Sequence, residues 1–138
     1  MTETQRPLPH ATAWSAPYWD AARDKRFVIQ HCTDCDRPIM YPRRFCPHCL
    51  NDTLEFRPSE GRGEIYTMTV QVAGPPSGFG DRLPYVVAVI RLDEGVQLMS
   101  NIVGDDRESA RIGDRVRVDF ETVEDGQTVL PVFRLERG

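Results

Sequence analysis

Two Cys-x-x-Cys pairs constrain this chain more than any other feature. Cys32 and Cys35 form the first pair, ten residues follow, and Cys46 and Cys49 form the second pair. Each pair can form a tight turn, here called a knuckle, that directs two thiolates at one centre. Four such ligands make the tetrahedron that Zn²⁺ takes in closed structural sites. The spacing therefore predicts one structural metal site with no coordination position left for substrate.

Other uses of the four thiols are open at this stage. Iron can occupy the same ligand set, and the sequence does not distinguish it from zinc. Two disulfides would need an oxidising compartment, whereas residues 1–10 are polar and do not have the pattern of a secretory signal. A redox-active dithiol would leave the second pair unexplained. We therefore expect bound metal and a cytoplasmic location.

Size and charge exclude several classes of protein. The 138 residues are enough for one ordinary domain or two very small ones, and 40% of them are hydrophobic. No apolar run is long enough to cross a bilayer, so no membrane segment is predicted. The net charge of −4 argues against a general affinity for nucleic acid or anionic lipid.

The first half of the chain predicts a helix followed by a ribbon. Residues 1–13 are expected to be flexible. Ser15 is a candidate N-cap, and the spacing after it predicts a short helix that carries Tyr18 and Trp19. These two rings either pack on the barrel predicted below or contact a partner protein. Short strands are expected on both sides of the cysteine segment, so that helix and ribbon together occupy residues 14–57.

The remaining residues, 58–138, predict only β structure. Alternating or continuous apolar runs separated by turns indicate strands at residues 63–72, 84–92, 96–103, 115–120 and 128–135. Five strands in so short a segment favour closure into a barrel of the OB type, because an open sheet of this size would expose its edges. An SH3-like barrel is the alternative.

Two of these strands carry specific expectations about burial. The alternation in residues 63–72 predicts a core face made of Ile65, Met68, Val70 and Val72. The apolar run in residues 84–92 is typical of a central strand that is buried on both faces.

Two loops hold residues that could bind a ligand or a partner. Arg43 and Arg44, followed by Phe45, place paired guanidinium groups beside an aromatic ring, and arginine suits phosphate groups such as those of CoA. An exposed loop that only keeps the ribbon hydrated is the competing interpretation. In the long loop of residues 73–84, Phe79 could insert into a partner subunit or fold back on the barrel.

No group of residues is typical of independent catalysis. His31 and His48 adjoin ligand cysteines, where a solvent-facing position or a supporting role is expected. Ser77 lacks the glycine pattern of a nucleophile elbow, and the adjacent acids Asp93 and Glu94 fit a turn. No phosphate-cradling glycine loop or dinucleotide fingerprint is present. We therefore expect no enzyme activity from this chain alone.

The ordered set of motifs along the chain is more specific than any one of them. From about Trp14 onward, the set consists of Cys32-Thr-Asp-Cys35, Tyr41-Pro42-Arg43, Cys46-Pro47-His48-Cys49, Gly61-Arg62-Gly63-Glu64-Ile65-Tyr66-Thr67, Pro84-Tyr85-Val86-Val87-Ala88, Leu92-Asp93-Glu94-Gly95 and Ile112-Gly113-Asp114-Arg115-Val116. This order of aromatic helix, four-cysteine ribbon and small barrel resembles the zinc-ribbon/OB-fold family known as domain of unknown function thirty-five. The family often has a second proline where this chain has Tyr41, and some members lack the cysteines retained here.

The resemblance implies an accessory role. Members are similar to small subunits that bind thiolase-fold enzymes acting on acyl-CoA thioesters, including thiolases, hydroxymethylglutaryl-CoA synthases, acyltransferases and the retro-aldolases of steroid side-chain breakdown. It further implies that the small subunit completes its partner in a hetero-oligomer and helps to form the CoA and acyl channel. Because the chain ends soon after its fifth barrel strand, we expect a separately encoded subunit.

Binding of single-stranded nucleic acid is the alternative function. Zinc ribbons and OB barrels both occur in such proteins, where aromatic rings stack on bases and a basic groove follows the phosphates. Residues 58–138 hold nine arginines against fourteen acidic residues, so the predicted barrel is itself acidic. The charge therefore disfavours this alternative.

Overall fold

The computed structural model describes residues 8–73, 83–123 and 126–136. One helix, α1, comes first, and a three-stranded sheet follows it; their bounds are α1 (Ala16–Arg23), β1 (Val28–Cys32), β2 (Arg37–Ile39) and β3 (Leu54–Pro58). Five further strands form a closed barrel in the order β4-β5-β6-β8-β7; they are β4 (Arg62–Gln71), β5 (Tyr85–Leu92), β6 (Gln97–Val103), β7 (Arg115–Thr122) and β8 (Val129–Leu135). The predicted architecture of short helix, ribbon and five-stranded barrel is confirmed.

The barrel closes through one short parallel seam. Its other strand pairs are antiparallel, but β6 and β8 run parallel. Only two residue pairs join them: Ile102 lies opposite Phe133, and Val103 lies opposite Arg134. Next to this seam the Ser100 hydroxyl donates a 3.0 Å hydrogen bond to the carbonyl of Pro131. Proline has no N–H to donate to β6, so the backbone hydrogen bonds between the two strands stop here. The Ser100 side chain forms a hydrogen bond to Pro131 in their place.

A stack of aromatic rings joins the helix, the ribbon and the barrel into one core. Tyr18 of α1 contacts Phe27 with ring centroids 6.2 Å apart, and Phe27 contacts Phe133 of β8 at the same separation. Phe27 lies just before β1, so the stack crosses all three parts of the chain. The same buried cluster contains Ile29 of β1 and the inward-facing side chains of the barrel.

Two glycines are required where β4 begins. Gly61 has φ +67°, and a Cβ atom there would lie 2.2 Å from a methyl carbon of Val118. A Cβ atom on Gly63 would lie 2.3 Å from the backbone oxygen of Arg91 on the neighbouring strand. Any side chain at these positions would push the β-strands apart, because the Val118 side chain and the Arg91 backbone have no room to move away from it.

The burial expected for β4 is only partly correct. A shift in register between Ile65 and Thr67 turns two consecutive residues outward and keeps Met68 and Val70 against the core. Val72 lies beyond the end of the strand and is 70% exposed, so its prediction as a core residue is wrong.

The expectation that β5 is buried on both faces is also wrong. Val86, Ala88 and Ile90 are buried inside the barrel, whereas Val87 and Val89 on the outer face are only half-buried. A continuous apolar run therefore did not indicate a central strand of a layered sheet.

Ser15 occupies the N-cap position of α1 but does not cap it through its side chain. Its hydroxyl instead accepts a 2.8 Å hydrogen bond from the N–H of Thr12, which holds the turn before the helix. Within the described parts of the chain, no helix has the length and apolar character needed to cross a bilayer.

Candidate functional site

The two knuckles have the same backbone construction. In the first, the N–H of Asp36 bonds to the carbonyl of Cys32 at 2.9 Å; in the second, the N–H of Leu50 bonds to the carbonyl of Cys46 at 2.9 Å. Asp36 and Leu50 both have positive φ, 57° and 67°, at the fourth residue after the first cysteine of each pair. This left-handed residue closes each turn and brings its two cysteines to the same point.

The four sulfur atoms converge as a tetrahedral ligand set requires. They all lie within 4.8 Å of one another, and Cys32–Cys49 and Cys35–Cys46 are 3.6 Å apart. Four thiolates at the Zn–S bond length would be separated by about 3.8 Å, whereas a disulfide needs about 2.05 Å. The four thiols are free. Their geometry fits a four-coordinate metal ion and does not fit disulfides.

The surroundings of the thiols favour ionisation unequally. Burial would raise the pKa of Cys46, but hydrogen bonds from the backbone N–H groups of Cys49 and His48 outweigh it and lower the pKa to about 6. Burial and the neighbouring thiols raise the pKa of Cys35 to about 12. Four adjacent thiolates repel one another without a cation between them, so full ionisation of this set needs a bound metal ion.

The histidines beside the cysteines contact neighbouring polar side chains and are not part of the cluster of four ligands. The Nε2 atom of His31 lies 2.7 Å from a carboxylate oxygen of Asp36, and the Nδ1 atom of His48 lies 3.2 Å from a guanidinium nitrogen of Arg37. His31 thus contacts Asp36 of the first knuckle, and His48 of the second knuckle contacts Arg37, which follows the first knuckle. Their expected role as supports of the ligand turns remains a prediction.

A buried glutamine fixes the loop between the knuckles. Gln30 is 3% exposed, and its side-chain amide donates a 2.8 Å hydrogen bond to the carbonyl of Arg43. Its side-chain oxygen accepts a 2.6 Å hydrogen bond from the N–H of the same residue. One amide side chain thus satisfies both backbone groups of Arg43 as a neighbouring strand would.

The predicted CoA-binding residues lie together on the surface of this loop. Arg43, Arg44 and Phe45 are all exposed, and the guanidinium of Arg44 lies 5.4 Å from the centre of the Phe45 ring. Neither arginine forms an ion pair with any residue that the structure describes. The pair therefore presents two uncompensated positive charges beside an aromatic ring.

The three predicted partner-contact residues have different environments. Tyr18 is 7% exposed and packs inside the chain, which is the first of the two interpretations given for it. Trp19 is partly buried against the same core, with its ring 5.0 Å from that of Tyr18. Phe79 lies outside the described residues. Contact of these residues with a partner remains a prediction.

One link between ribbon and barrel was missed from the sequence. The hydroxyl of Tyr41 accepts a 2.7 Å hydrogen bond from the N–H of Met99 in β6. The two residues are 58 positions apart, so no local pattern could indicate the contact. Tyr41, at a position where the family often has a proline, thus holds the loop on the barrel.

Family comparisons define the class of protein to which this fold belongs. A family described as "ChsH2, rubredoxin-like zinc ribbon domain" matches residues 19–55, and one described as "ChsH2, C-terminal OB-fold domain" matches residues 56–121. The chain is thus a zinc-ribbon/OB-fold protein.

Individual relatives identify the family itself. A "DUF35 domain-containing scaffold protein" of Methanothermobacter thermautotrophicus is 37% identical over 98 residues, which are 70% of this chain and 73% of that protein. Together with the matches to both domains, this similarity shows that the chain belongs to the DUF35 family.

Two other relatives are named as subunits. A "probable enoyl-CoA hydratase alpha subunit" of Thermomonospora curvata is 36% identical over 132 residues, or 94% of this chain. The chain spans only 40% of the length of that protein. The "benzoylsuccinyl-CoA thiolase subunit BbsA" of Thauera aromatica is 28% identical over 118 residues, covering 86% of this chain and 74% of that subunit.

Solved structures show the same fold. A chain of the "Ltp2-ChsH2(DUF35) aldolase" superposes with a TM-score of 0.81 and 33% identity, covering 92% of this chain and 98% of that chain. A DUF35 protein of unknown function from Sulfolobus solfataricus gives a TM-score of 0.63 at 12% identity, over 91% of this chain and 87% of that chain. The second likeness shows the fold alone.

Replacing Gln30 by leucine tests the amide clamp on the loop. The change leaves the N–H and carbonyl of Arg43 without partners at the edge of the ribbon, so we expect a loss of about 1–3 kcal/mol in the free energy of unfolding. Hydrogen exchange of the Arg43 amide should accelerate, and Gln97→Leu at an exposed position of β6 serves as the control. Unchanged exchange at Arg43 in the Gln30→Leu protein would show that the clamp does not hold the loop.

Proposed function

We propose that this chain is a non-catalytic accessory subunit of a thiolase-fold enzyme that acts on acyl-CoA thioesters. In this role it would bind the catalytic subunit, through which it meets acyl-CoA, and help to form the channel for the CoA and acyl groups. Thiolase, acyltransferase and retro-aldolase reactions are all within the proposal, with breakdown of a steroid side chain among them.

The similarity to the DUF35 chain of the Ltp2–ChsH2 aldolase is the observation that carries this proposal. The two chains match over 92% and 98% of their lengths, so the whole of that chain, and not one module of it, has its counterpart here. The Thauera aromatica relative is named as a thiolase subunit, and the Thermomonospora curvata relative as a hydratase subunit. Both of these relatives are named as subunits of enzymes that act on CoA compounds.

The charge of the barrel supports this function over nucleic-acid binding. Several barrel arginines pair with acids: Arg91 with Glu64 on the neighbouring strand at 2.9 Å, and Arg115 with Asp93 in the turn after β5 at 2.8 Å. Arg134 likewise pairs with Asp119. Neutralised guanidinium groups do not provide the basic groove that follows phosphates in single-stranded binders.

We propose Zn²⁺ as the ion held by Cys32, Cys35, Cys46 and Cys49. The cross-knuckle sulfur separations fit this ion, and four thiolates leave it no open position for catalysis. Zinc would supply the positive charge that keeps the thiolates ionised. Free thiols also suit the reducing cytoplasm, where we place the protein.

We propose that helix and ribbon form one functional unit, residues 14–57, and that the barrel forms the other, residues 58–138. The unit of helix and ribbon carries the uncompensated pair Arg43 and Arg44. In the assembled complex these residues would bind anionic groups of CoA, with Phe45 beside them. Trp19 and Phe79 remain our candidates for contact with the catalytic subunit, whereas Tyr18 would act by holding α1 in place.

Replacing Cys35 by serine should remove the metal ion. With one thiolate lost, we expect the bound metal to fall from about one ion per chain to well below half, and the free energy of unfolding to fall by several kcal/mol, because metal binding and folding are coupled. Elemental analysis by mass spectrometry and urea denaturation measure both effects. Asp34→Ser, at an exposed position of the same knuckle, should retain metal and stability. Full metal content in the Cys35→Ser protein would refute the four-cysteine site.

Replacing Arg43 and Arg44 together by alanine should weaken acyl-CoA binding to the assembled complex by about tenfold or more. The loss should shrink at high salt, because exposed charges are screened. The Arg23→Ala, Arg26→Ala double variant is the matched control, since it removes the same charge from exposed positions. Isothermal titration compares the three proteins, and equal affinities would exclude these arginines from CoA binding.

Purification of the tagged chain from its own source tests the accessory role. We expect a thiolase-fold protein at near-equal stoichiometry and no nucleic acid, as determined by mass spectrometry and ultraviolet absorbance. The complex should cleave or transfer acyl-CoA thioesters, whereas the tagged chain alone should not. Recovery of RNA with ribosomal or transcription proteins, or thioester turnover by the chain alone, would contradict the proposal.

A further inference from the structure

An open groove separates α1 from the barrel beside the β6–β8 seam. It has a volume of about 430 Å³, within the range of about 300–1,000 Å³ that is usual for small-molecule sites. The aromatic rings of Trp14, Tyr18, Trp19 and Tyr41 and the side chain of Met99 line it, together with aliphatic, proline and uncharged polar residues. We call it the ring groove. Four separate segments of the chain meet here, so its shape is set by the tertiary fold.

The ring groove is electrically neutral. None of the described residues that line it carries a charge, although 28% of the chain is charged. The arginine pair lies just beyond its Pro42 end but does not line it. A phosphate or carboxylate would find no counter-charge inside, so the lining selects against anionic groups and for an uncharged one.

The hydroxyl of Tyr18 opens onto this neutral space. Tyr18 is only 7% exposed and lines the groove, yet its hydroxyl has no hydrogen bond to any residue that the structure describes. The neighbouring Tyr41 hydroxyl is occupied by the N–H of Met99. Because no buried side-chain polar atom of the described residues lacks a partner, this hydroxyl must be accessible from the groove. A ligand acceptor at this position could take a hydrogen bond from it in place of water.

The rim is apolar and exposed. Trp14 is 41% exposed, Tyr41 is 48% exposed and Met99 is 62% exposed, all at the edge of the same groove. Flat faces of tryptophan and tyrosine, together with an adaptable methionine, favour stacking against a planar ring system.

We infer that the ring groove is a binding site for a neutral, planar, largely apolar ring compound that carries one hydrogen-bond acceptor, such as a ring ketone. The rings of Trp14, Trp19 and Tyr41 would cover its faces, and Tyr18 would donate to its acceptor. This site is separate from the Arg43–Arg44 pair and does not rest on the accessory role proposed above. It places a small-molecule site on this chain itself.

The naphthalene ketone Prodan is a suitable probe, because it is neutral, planar and fluorescent and carries one carbonyl. Both tryptophans of the chain line the groove, so their emission reports on the site without labelling. Titration of the full-length, metal-loaded chain should quench tryptophan emission and shift Prodan emission to the blue, with a Kd on the order of 10–100 μM. Absence of saturable quenching up to the solubility limit of Prodan would overturn the inference.

Two variants locate the binding. Tyr18→Phe keeps the ring in the core and should raise the Kd for Prodan about threefold to tenfold. The same variant should bind 2-dimethylaminonaphthalene, which lacks the carbonyl, as tightly as the unaltered chain does. An equal loss for both compounds, or no loss for Prodan, would exclude the hydrogen bond from Tyr18.

Met99→Glu places a charge on the rim and should weaken Prodan binding about tenfold or more. Ile112→Glu is the matched control, because Ile112 is 66% exposed and lies outside the groove. Equal effects of the two variants would show that Prodan binds elsewhere. Analytical sedimentation tests whether a second copy of this chain occupies the groove. A dimer that Met99→Glu dissociates would mean that the groove is an interface between copies, and this result would also overturn the inference.

Discussion

Contact between Tyr18, Phe27 and Phe133 is the interaction on which the rest of the structure depends. The three rings come from the helix, the entrance to the ribbon and the last barrel strand, and they meet edge to face at centroid separations of 6.2 Å. Such rings bury large apolar areas in one defined orientation. These contacts therefore fix the ribbon relative to the barrel. Both the shape of the ring groove and the hydrogen bond between Tyr41 and β6 depend on that fixed arrangement.

Features determined by neighbouring residues were predictable from the sequence. The knuckles depend on the local spacing of Cys32–Cys35 and Cys46–Cys49, and the barrel strands depend on alternation within each strand. In β4, Ile65, Met68 and Val70 were predicted correctly as core residues, although the register shift after Ile65 was not foreseen. Val72 was predicted wrongly, because β4 ends at Gln71 while the alternation in the sequence continues to Val72.

Features determined by distant contacts could not be predicted in this way. Gln30 lies between Ile29 and His31 in β1, and nothing in the sequence names Arg43 as the partner of its side chain. Contact between Tyr41 and Met99 crosses 58 residues and left no local signal. The CoA-binding hypothesis for Arg43 and Arg44 came from residue type, and the structure adds that neither is engaged by an acid among the described residues.

The segment from Tyr41 to Arg44 connects these distant contacts to the proposed functions. Its first residue is bonded to β6 of the barrel through Met99, and Arg43 is bonded on both backbone atoms to Gln30 of the ribbon. A segment held at both points presents its side chains in fixed positions, which lowers the entropy lost when they bind. One face of the segment forms a wall of the neutral ring groove, and the next two residues carry unpaired positive charges. The metal ribbon would then serve binding by fixing this short segment, and the barrel would serve it by supplying the surface against which the segment is held.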